Sequence, residues 1–448
     1  MIERDSRVSP RAAFTTGAGP VDRQDGKELA ARPAVDGGVR ASAGAVVHPL
    51  APLRHVQFIT CWLGGFISHG ANWMRAVTVP FLVFEMTGSA AWLGLIALAS
   101  QAPSLIASPL GGILADRYSR RGLMLGTLTV EAACALLFYF LYTAGELIPS
   151  RMLSLLLVTG FSSSINIAVW QALVVEIVPE NEIAPAYRLN AIQFNLSRAV
   201  GPALAGWVLA THGPGTAFYV MIFAYLPLAV ALVLAKLRPV ARAARTSLIG
   251  ELAEGVQAVR TDPRLRVPVQ SVAILSLVGM GVHPLMAGIA KEVYGVGEAG
   301  LGGLLSSVGV GSVIASISLV LIGDRAKRSQ VASLGIWVYG GGMLLAAATD
   351  QYAFGIAGFA ITGIAHVMVH ISCTTGLQLH VSETLRGRVT SIYLMGIIVS
   401  APIGAQIGGL LGDSIGLSWV ITVFACTIFA YGLWARTALS GFSDLDGD

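Results

Sequence analysis

The sequence predicts an all-α membrane protein with twelve transmembrane helices in two pseudo-symmetric six-helix bundles. Charged residues make up 12% of the chain and hydrophobic residues 54%, whereas about 25% of the residues in soluble domains are charged. A helix that spans a bilayer needs about 20 consecutive apolar residues, and twelve runs in this chain are long enough. They lie near residues 55–84, 91–115, 122–143, 150–176, 186–210, 216–235, 267–290, 298–322, 330–348, 352–378, 387–411 and 417–437.

Five regions follow from this pattern. The first is polar and rich in Pro, Gly and Ala, without apolar periodicity, which is typical of disorder. A basic stretch separates the two groups of six helices, and we expect a short amphipathic helix in it near 249–259. The regions are a disordered cytoplasmic tail (1–53), a first bundle (54–235), a cytoplasmic linker (236–266), a second bundle (267–437) and a cytoplasmic tail (438–448).

The distribution of basic residues predicts the orientation in the membrane. Of the 29 Lys and Arg residues, 25 fall in segments that share one side if twelve helices cross alternately. Cytoplasmic loops carry an excess of Lys and Arg. Both termini are therefore expected to be cytoplasmic.

The two halves also repeat weakly. Four landmarks of the first half recur 200 to 208 residues later. They pair Pro80 with Pro284, Asp116 with Asp324, Arg188 with Arg388, and Pro202 with Pro402. An ordered set of similar offsets indicates two related bundles.

A tight basic loop joins the second and third runs. Its ten residues, from Gly112 to Arg121, resemble the signature loop of the major facilitator superfamily, G-x-x-x-D-[RK]-x-G-[RK]-[RK], at nine positions. Ser119 stands where the family usually has glycine, and because serine carries a Cβ it is expected to alter the turn slightly. Superfamily transporters built from such repeats bind substrate near the midplane, between the bundles.

The resemblance implies that this loop is a conformational latch. Asp116 would approach a helix N-terminus of the other bundle, where an acid is favourable by about 0.3–1 kcal/mol. Arg117, Arg120 and Arg121 would pair with acidic groups in one state. Simple anchoring of a positive loop in the cytoplasm would need the arginines but neither Gly112 nor Asp116.

A second motif lies in the fifth run. The segment Gly201-Pro202-Ala203-Leu204-Ala205-Gly206 resembles the antiporter motif G-P-x-x-G-G, with alanine for one glycine. Proline removes a helix hydrogen bond and small residues allow close packing, so this helix could bend or slide. The resemblance favours export; the alternative is an ordinary small-residue packing face.

Polar side chains at membrane depth are the candidates for a substrate cavity. A cation at mid-bilayer costs about 2.5–3.5 kcal/mol on insertion scales, so it should face protein or water. Two histidines one helical turn apart could form a cavity wall or a proton-sensitive pair. The sequence shows no third ligand beside them, so they do not predict a metal site. The candidates are Asn72, Trp73, Arg75, Asn166, Trp170, Gln193, Arg198, His366 and His370.

Further segments narrow the resemblance. The stretch 80–90 and Arg386-Gly387-Arg388-Val389 look like the bacterial branch of enterobactin-type siderophore exporters and macrolide efflux proteins. This implies a monomeric, multi-pass transporter of the bacterial inner membrane that exports an amphipathic small molecule, a drug-like compound or siderophore, in exchange for protons. Members near this branch often have an acid where Asn72 stands, which leaves Glu131 and Glu85 as the proton-coupling candidates. An importer of a small solute, or a sensor or scaffold that transports nothing, remains the alternative.

Other classes of function are not supported. No Walker loop, nucleophile motif or soluble catalytic domain is present, so we expect neither an enzyme nor a cofactor. The net charge of +4 is small and dispersed, which argues against nucleic acid. The four cysteines lie far apart within apolar runs and predict neither a disulfide nor a metal site. The expected partners are a small-molecule substrate, protons and the lipid bilayer.

Overall fold

The computed structural model describes residues 48–238, 248–323, 326–383, 385–438 and 446, and they are organised almost entirely as helices. Most of the predicted N-terminal and C-terminal tails lies outside the described residues. So do the middle of the linker and the landmark Asp324.

The first half forms six long helices. Helix α1 spans Val56–Thr87, α2 Ala90–Arg117, α3 Arg120–Thr143 and α4 Pro149–Ile177. The helical run Glu180–Leu234 then breaks at Gly213, whose φ of 76° and ψ of 173° are not helical. Residues 183–212 form α5 and residues 214–234 form α6.

The second half forms six more helices after a linker helix, Leu248–Thr261, in the region where a short amphipathic helix was expected. Helix α7 is irregular, with π turns at Leu275–Gly279 and Ile289–Val293 around a 3-10 turn that contains Pro284. The helices are α7 (Pro263–Val293), α8 (Glu298–Ile322), α9 (Arg328–Ala347), α10 (Tyr352–His380), α11 (Arg386–Ile415) and α12 (Leu417–Ala438).

Twelve membrane crossings result from these helices. Ten segments among the described residues are long and apolar enough to span a bilayer. One of them, Glu180–Leu234, has 55 residues; at 1.5 Å per residue it is roughly 80 Å long and supplies two crossings. Helix α1 has 32 residues, and its polar side chains lower its hydropathy. The predicted fold class is confirmed.

The helices pack as two groups. Within the first group α1 contacts α5 and α6, and α4 contacts α2 and α3; within the second, α10 contacts α8 and α9, and α12 contacts α9. Two extensive contacts join the groups, α2 with α11 and α5 with α8. These two contacts are equivalent under the repeat, because a helix of one half is related to the helix six places along.

We name the two ends of the molecule for reference. The linker face holds the start of α1, the linker helix and the end of α12. The opposite face holds the turns around Gly88, Gly145, Gly213 and Gly416, where φ is positive and glycine is favoured. Apolar side chains are exposed between the faces, such as Ile314 at 49%, which indicates the lipid-facing surface of a multi-pass membrane protein.

Candidate functional site

A central cavity of about 260 Å³ lies between the two groups of helices. Helices α1, α2, α4, α5, α7 and α8 contribute to its wall. The repeat landmarks Pro80 and Pro284 both line it, each in the first helix of its half. Four sequence-predicted cavity residues line it as well: Asn72, Trp73, Arg75 and Arg198.

A second cavity of about 500 Å³ lies on the linker-face side of the first and is built from the first half alone. Asn72 lines both cavities. Asn166, Trp170 and Gln193, also predicted as cavity residues, line the second. Asn166 donates to Thr127 Oγ1 at 2.9 Å, and Gln193 Nε2 donates to the Trp62 carbonyl. The two cavities together extend from the midplane toward the linker face.

A buried ion pair lies where the two cavities meet. Arg75 Nη1 is 3.5 Å from Glu131 Oε2, and the Glu131 side chain is 2% exposed. Arg75 Nη2 also donates to Asn72 Oδ1 at 2.8 Å. The hydroxyl of Tyr225 is buried beside the carboxylate. Neither Glu131 Oε2 nor this hydroxyl makes a hydrogen bond of good geometry among the described residues, although the two groups lie close enough to interact.

A second polar cluster surrounds Arg198 on α5. His283, on α7, lines the central cavity with Arg198 and interacts with it electrostatically. The predicted pair His366 and His370 stack at 6.0 Å between ring centroids. His370 Nδ1 is 2.9 Å from the Tyr393 hydroxyl. The two histidines lie behind the central cavity rather than among the residues that line it.

The antiporter-like motif forms the contact between α5 and α8. A Cβ on Gly201 would lie 2.6 Å from the Trp73 ring, so this glycine admits a cavity side chain. A Cβ on Gly206 would lie 2.9 Å from Gly302 Cα, and one on Gly302 would lie 2.6 Å from the Pro202 carbonyl oxygen. The motif therefore brings two backbones together across the halves of the molecule.

We expect Gly302→Ala to hold the two halves apart at the opposite face. Overpacking costs about 1–3 kcal/mol, which shifts a two-state equilibrium by about 5- to 150-fold. Distances between spin labels across that face should increase and transport should slow. Gly341→Ala is the matched control, because no atom lies within 4 Å of its Cβ position. Equal distances in both variants would mean that the close approach does not limit closure.

The opposite face is closed by polar contacts between the halves. The carboxylate of Asp413, near the end of α11, accepts hydrogen bonds from Ser89 Oγ at 2.6 Å and from the backbone N–H of Ala90 at 2.5 Å. Asp413 thus caps the N-terminus of α2. Close by, Lys291 Nζ is 3.8 Å from Glu85 Oε1.

Glu85 lies outside both cavities. The sequence placed it with Glu131 as a proton-coupling candidate, but its side chain is 51% exposed at the opposite face. It is exposed there because α1 continues to Thr87, so that Glu85 lies in the last turn of the helix. Of the two carboxylates, Glu131 lines a cavity and Glu85 does not.

The linker face is more open between the halves. Helix α11 packs along Ala90–Gln101, the first part of α2, and has few contacts with Ser104–Arg117, the second part. The bundles therefore separate toward the linker face, on the side where the second cavity lies.

Two arginines of the signature loop bond within the first half. Arg120 pairs with Glu176 at 2.9 Å and donates to the Ala172 carbonyl at 2.8 Å, both on α4. Arg121 donates to the Ala235 carbonyl after α6. These bonds fix the loop to its own bundle in this conformation.

The serine of the loop has a structural explanation. Ser119 has an ordinary φ of −62°, so glycine is not needed there, and its Oγ accepts a hydrogen bond from Gly122 N at 3.1 Å as the N-cap of α3. The glycine that packs closely against a neighbouring helix is Gly111, one residue before the first glycine of the motif. A Cβ on Gly111 would lie 3.0 Å from Ile165 Cα, whereas Gly112 has open space.

Sequence reasoning missed three residues of this region. His283 adjoins the repeat landmark Pro284 and Tyr225 lies within an apolar run, and neither position is among the sequence-predicted candidates. Asp413 carried a signal, because it lies 27 residues after the start of α11 much as Asp116 lies 26 residues after the start of α2. Its partners, more than 300 residues away, had no signal in the sequence.

Curated relatives match most of the chain. The uncharacterized MFS-type transporter YfiS of Bacillus subtilis is 25% identical over 82% of this chain and 89% of its own length. Macrolide efflux protein A of Streptococcus pyogenes is 22% identical over 81% of this chain and 91% of its own. Multidrug efflux pump Tap of Mycolicibacterium fortuitum is 23% identical, with the same two coverages.

Solved structures share the fold. The nucleoside transporter NupG superposes with a TM-score of 0.68 at 13% identity, covering 88% of this chain and 100% of that one. A bacterial homolog of the human lysosomal transporter Spinster, in an inward-facing and occupied conformation, superposes with a TM-score of 0.69 at 12% identity over 87% and 98%.

A family model settles the membership. The model described as transmembrane secretion effector matches residues 47–445, which is nearly the whole described chain. The resemblance to the major facilitator superfamily is thereby confirmed. The chain belongs to the transmembrane secretion effector family, and it is a major facilitator transporter that carries a small molecule across a membrane rather than an enzyme.

Proposed function

We propose that this transporter exports amphipathic small molecules across a bacterial inner membrane by alternating access, in exchange for protons. The observation that carries the proposal is the mid-membrane cavity between the bundles, closed at one face, with a single buried carboxylate lining the adjoining cavity. Its wall is largely apolar with a few polar groups, which suits an amphipathic ligand. The relatives whose names describe macrolide and multidrug efflux support the direction.

Glu131 is the proposed proton carrier. It is the one acidic residue among those that line either of the two cavities. When ionised, it attracts Arg75 and draws α1 toward α3; when protonated, it loses that attraction. Because the pair lies between the midplane cavity and the linker-face cavity, its protonation can alter how α1 packs as the bundles rock.

The signature loop is the proposed latch of the alternate conformation. The family resemblance implies that Asp116 caps the N-terminus of α11, around 388–391, when the linker face closes. The observed cap of α2 by Asp413 would then be its counterpart at the opposite face. In this proposal each of the two helices ends in an acid that can cap the other.

The orientation gives a direct prediction. If the linker face is cytoplasmic, reporters fused after Asp448 and within the turn Gly145–Ile148 should report opposite sides of the membrane. The turn lies at the opposite face, while the basic linker segments lie at the other. Periplasmic phosphatase activity is expected only for the turn fusion, and the same side for both would contradict the twelve-helix orientation.

Everted vesicles with an imposed proton gradient test the proposed function. The probes are three dansyl compounds of different charge: dansylglycine, dansylamide and dansylcadaverine. An exporter accumulates at least one of them above the level of vesicles without the protein, and dissipating the gradient abolishes the accumulation. Uptake in right-side-out vesicles instead would indicate an importer, and no flux of any probe in either orientation would favour a sensor or scaffold.

A further inference from the structure

The charges of the central cavity do not balance. Two arginines line it, Arg75 and Arg198. Arg75 is neutralised by Glu131 at 3.5 Å. Arg198 forms no ion pair with any described residue, and no carboxylate other than Glu131 lines either cavity. The cavity therefore keeps one uncompensated positive charge near the midplane.

The surroundings of Arg198 offer it no anion. Its electrostatic neighbours are His283 on α7, Tyr339 on α9, and His366 and His370 on α10. All are aromatic, and none carries a negative charge at neutral pH. A cation held at membrane depth without a counter-ion is costly and by default marks a binding function. We therefore expect the ligand to supply the missing counter-charge.

We propose that Arg198 binds the acidic group of the transported molecule, and that the substrates of this transporter are amphipathic anions. This rests on the proposed function, because it assumes that the central cavity holds the substrate. A guanidinium presents a planar fork of N–H donors that matches a carboxylate, sulfonate or phosphate. His283 lies beside it as a further hydrogen-bonding group. The apolar body would pack on Trp73, Pro80 and Leu305 across the cavity.

Arg198, unlike Arg75, is free to change partners during transport. Binding an anion at Arg75 would require breaking its pair with Glu131, which would leave a buried carboxylate uncompensated. At Arg198 an anion has no counter-ion among the described residues to displace. Arg198 also precedes the antiporter-like motif on α5 by three residues, next to Ala199, whose Cα lies 2.6 Å from the Cβ position of Gly309 on α8. Ligand binding there is next to the helix contact that must change in the cycle.

The test compares probes that differ in charge. Purified protein in phosphatidylcholine nanodiscs is titrated with dansylglycine, an anion, and dansylcadaverine, a cation with the same fluorophore. Wild type should bind the anion roughly 10- to 100-fold more tightly, the range expected for a charge-assisted hydrogen-bonded pair. Arg198→Gln should lose that preference, and Arg198→Lys should retain part of it. Arg188→Gln is the control, because Arg188 lies on the same helix, is exposed and bonds only to its own helix at the Ala184 carbonyl.

Thermal unfolding of each variant first establishes that it is folded. Equal affinity for the two probes in wild type, or a preference for the anion that survives Arg198→Gln, would overturn the proposal. Nanodiscs containing phosphatidylglycerol separate a soluble anion from a lipid headgroup: loss of dansylglycine binding there alone would assign the site to lipid and also overturn it. If dansylcadaverine is transported and dansylglycine is neither bound nor transported, the anion site is wrong but the exporter stands. Failure of transport with every probe is a failure of the proposed function itself.

Discussion

Replacing Glu131 with glutamine is expected to abolish accumulation against a gradient while leaving exchange of substrate down its gradient. Glutamine has nearly the same shape but cannot take up a proton. One exchanged proton moving down a gradient of one pH unit supplies about 1.4 kcal/mol, enough for roughly tenfold accumulation. In Glu131→Gln the accumulation ratio of a transported dansyl probe should therefore fall from about ten toward one.

The expected result depends on leaving the Arg75 guanidinium a hydrogen-bond acceptor. Removing one member of a buried ion pair costs about 3–5 kcal/mol when the other is left uncompensated, so Glu131→Ala could fail to fold. A glutamine carbonyl can accept a hydrogen bond from the guanidinium at this position, which makes Glu131→Gln the better variant. Glu146→Gln is the control, because Glu146 is exposed in the turn at the opposite face and pairs only with Arg151.

Proteoliposomes give both measurements on the same preparation. Gradient-driven uptake and counterflow of unlabelled against labelled probe are recorded across a range of external pH. Wild type should show uptake that varies with pH, and Glu131→Gln should show counterflow that does not. Gradient-driven uptake that persists in Glu131→Gln would place the coupling elsewhere and remove Glu131 from the mechanism.

The sequence was sufficient for the helices because bilayer thickness imposes a minimum apolar length. The run expected at 55–84 is α1, Val56–Thr87, and the run at 298–322 is α8, Glu298–Ile322. Irregular backbone within the helices was not predictable in the same way. The π and 3-10 turns of α7 depend on packing against neighbouring helices, and the proline of this segment indicated only that a distortion was possible.

The site could be predicted only as a set of polar residues at membrane depth. That argument predicted Arg75 and Arg198 as cavity residues, but it could not show that Arg75 forms an ion pair and Arg198 does not. The pairing of Arg75 depends on how α1 packs against α3, which hydropathy does not determine. It also selected His366 and His370, which are polar but lie behind the cavity, since helical spacing defines a shared face without defining what the face contacts.

The last prediction concerns the two caps between α2 and α11, the observed cap by Asp413 and the proposed cap by Asp116. Helices α2 and α11 cross between the bundles, and α11 contacts the first part of α2 but little of the second. At the closed end, Asp413 accepts hydrogen bonds from the α2 N-terminus. Because α2 and α11 run antiparallel, Asp116 at the other end of α2 would accept from the α11 N-terminus in the alternate state. Removing either charge should then favour opposite conformations.

Asp413→Asn is expected to shift the population away from the conformation described here, and Asp116→Asn toward it. An acid at a helix N-terminus contributes about 0.3–1 kcal/mol, and up to ~2 kcal/mol when partly buried. At 1–2 kcal/mol the equilibrium changes about 5- to 30-fold. Both variants should bind substrate and transport slowly, because each leaves one state too rarely populated.

Spin-label distances distinguish the two shifts. One pair, Ile148 with Gly297, reports the opposite face, and another, Tyr118 with Glu383, reports the linker face. Each pair is introduced after the four native cysteines are replaced by alanine. Asp413→Asn should lengthen the first distance and shorten the second. Asp116→Asn should leave both distances unchanged, or shorten the first and lengthen the second. Asp350→Asn, which removes an exposed charge at the opposite face away from α2, should change nothing. Shifts of the same sign in Asp413→Asn and Asp116→Asn would show that the two acids do not act as reciprocal caps, and the signature loop would then be an anchor alone.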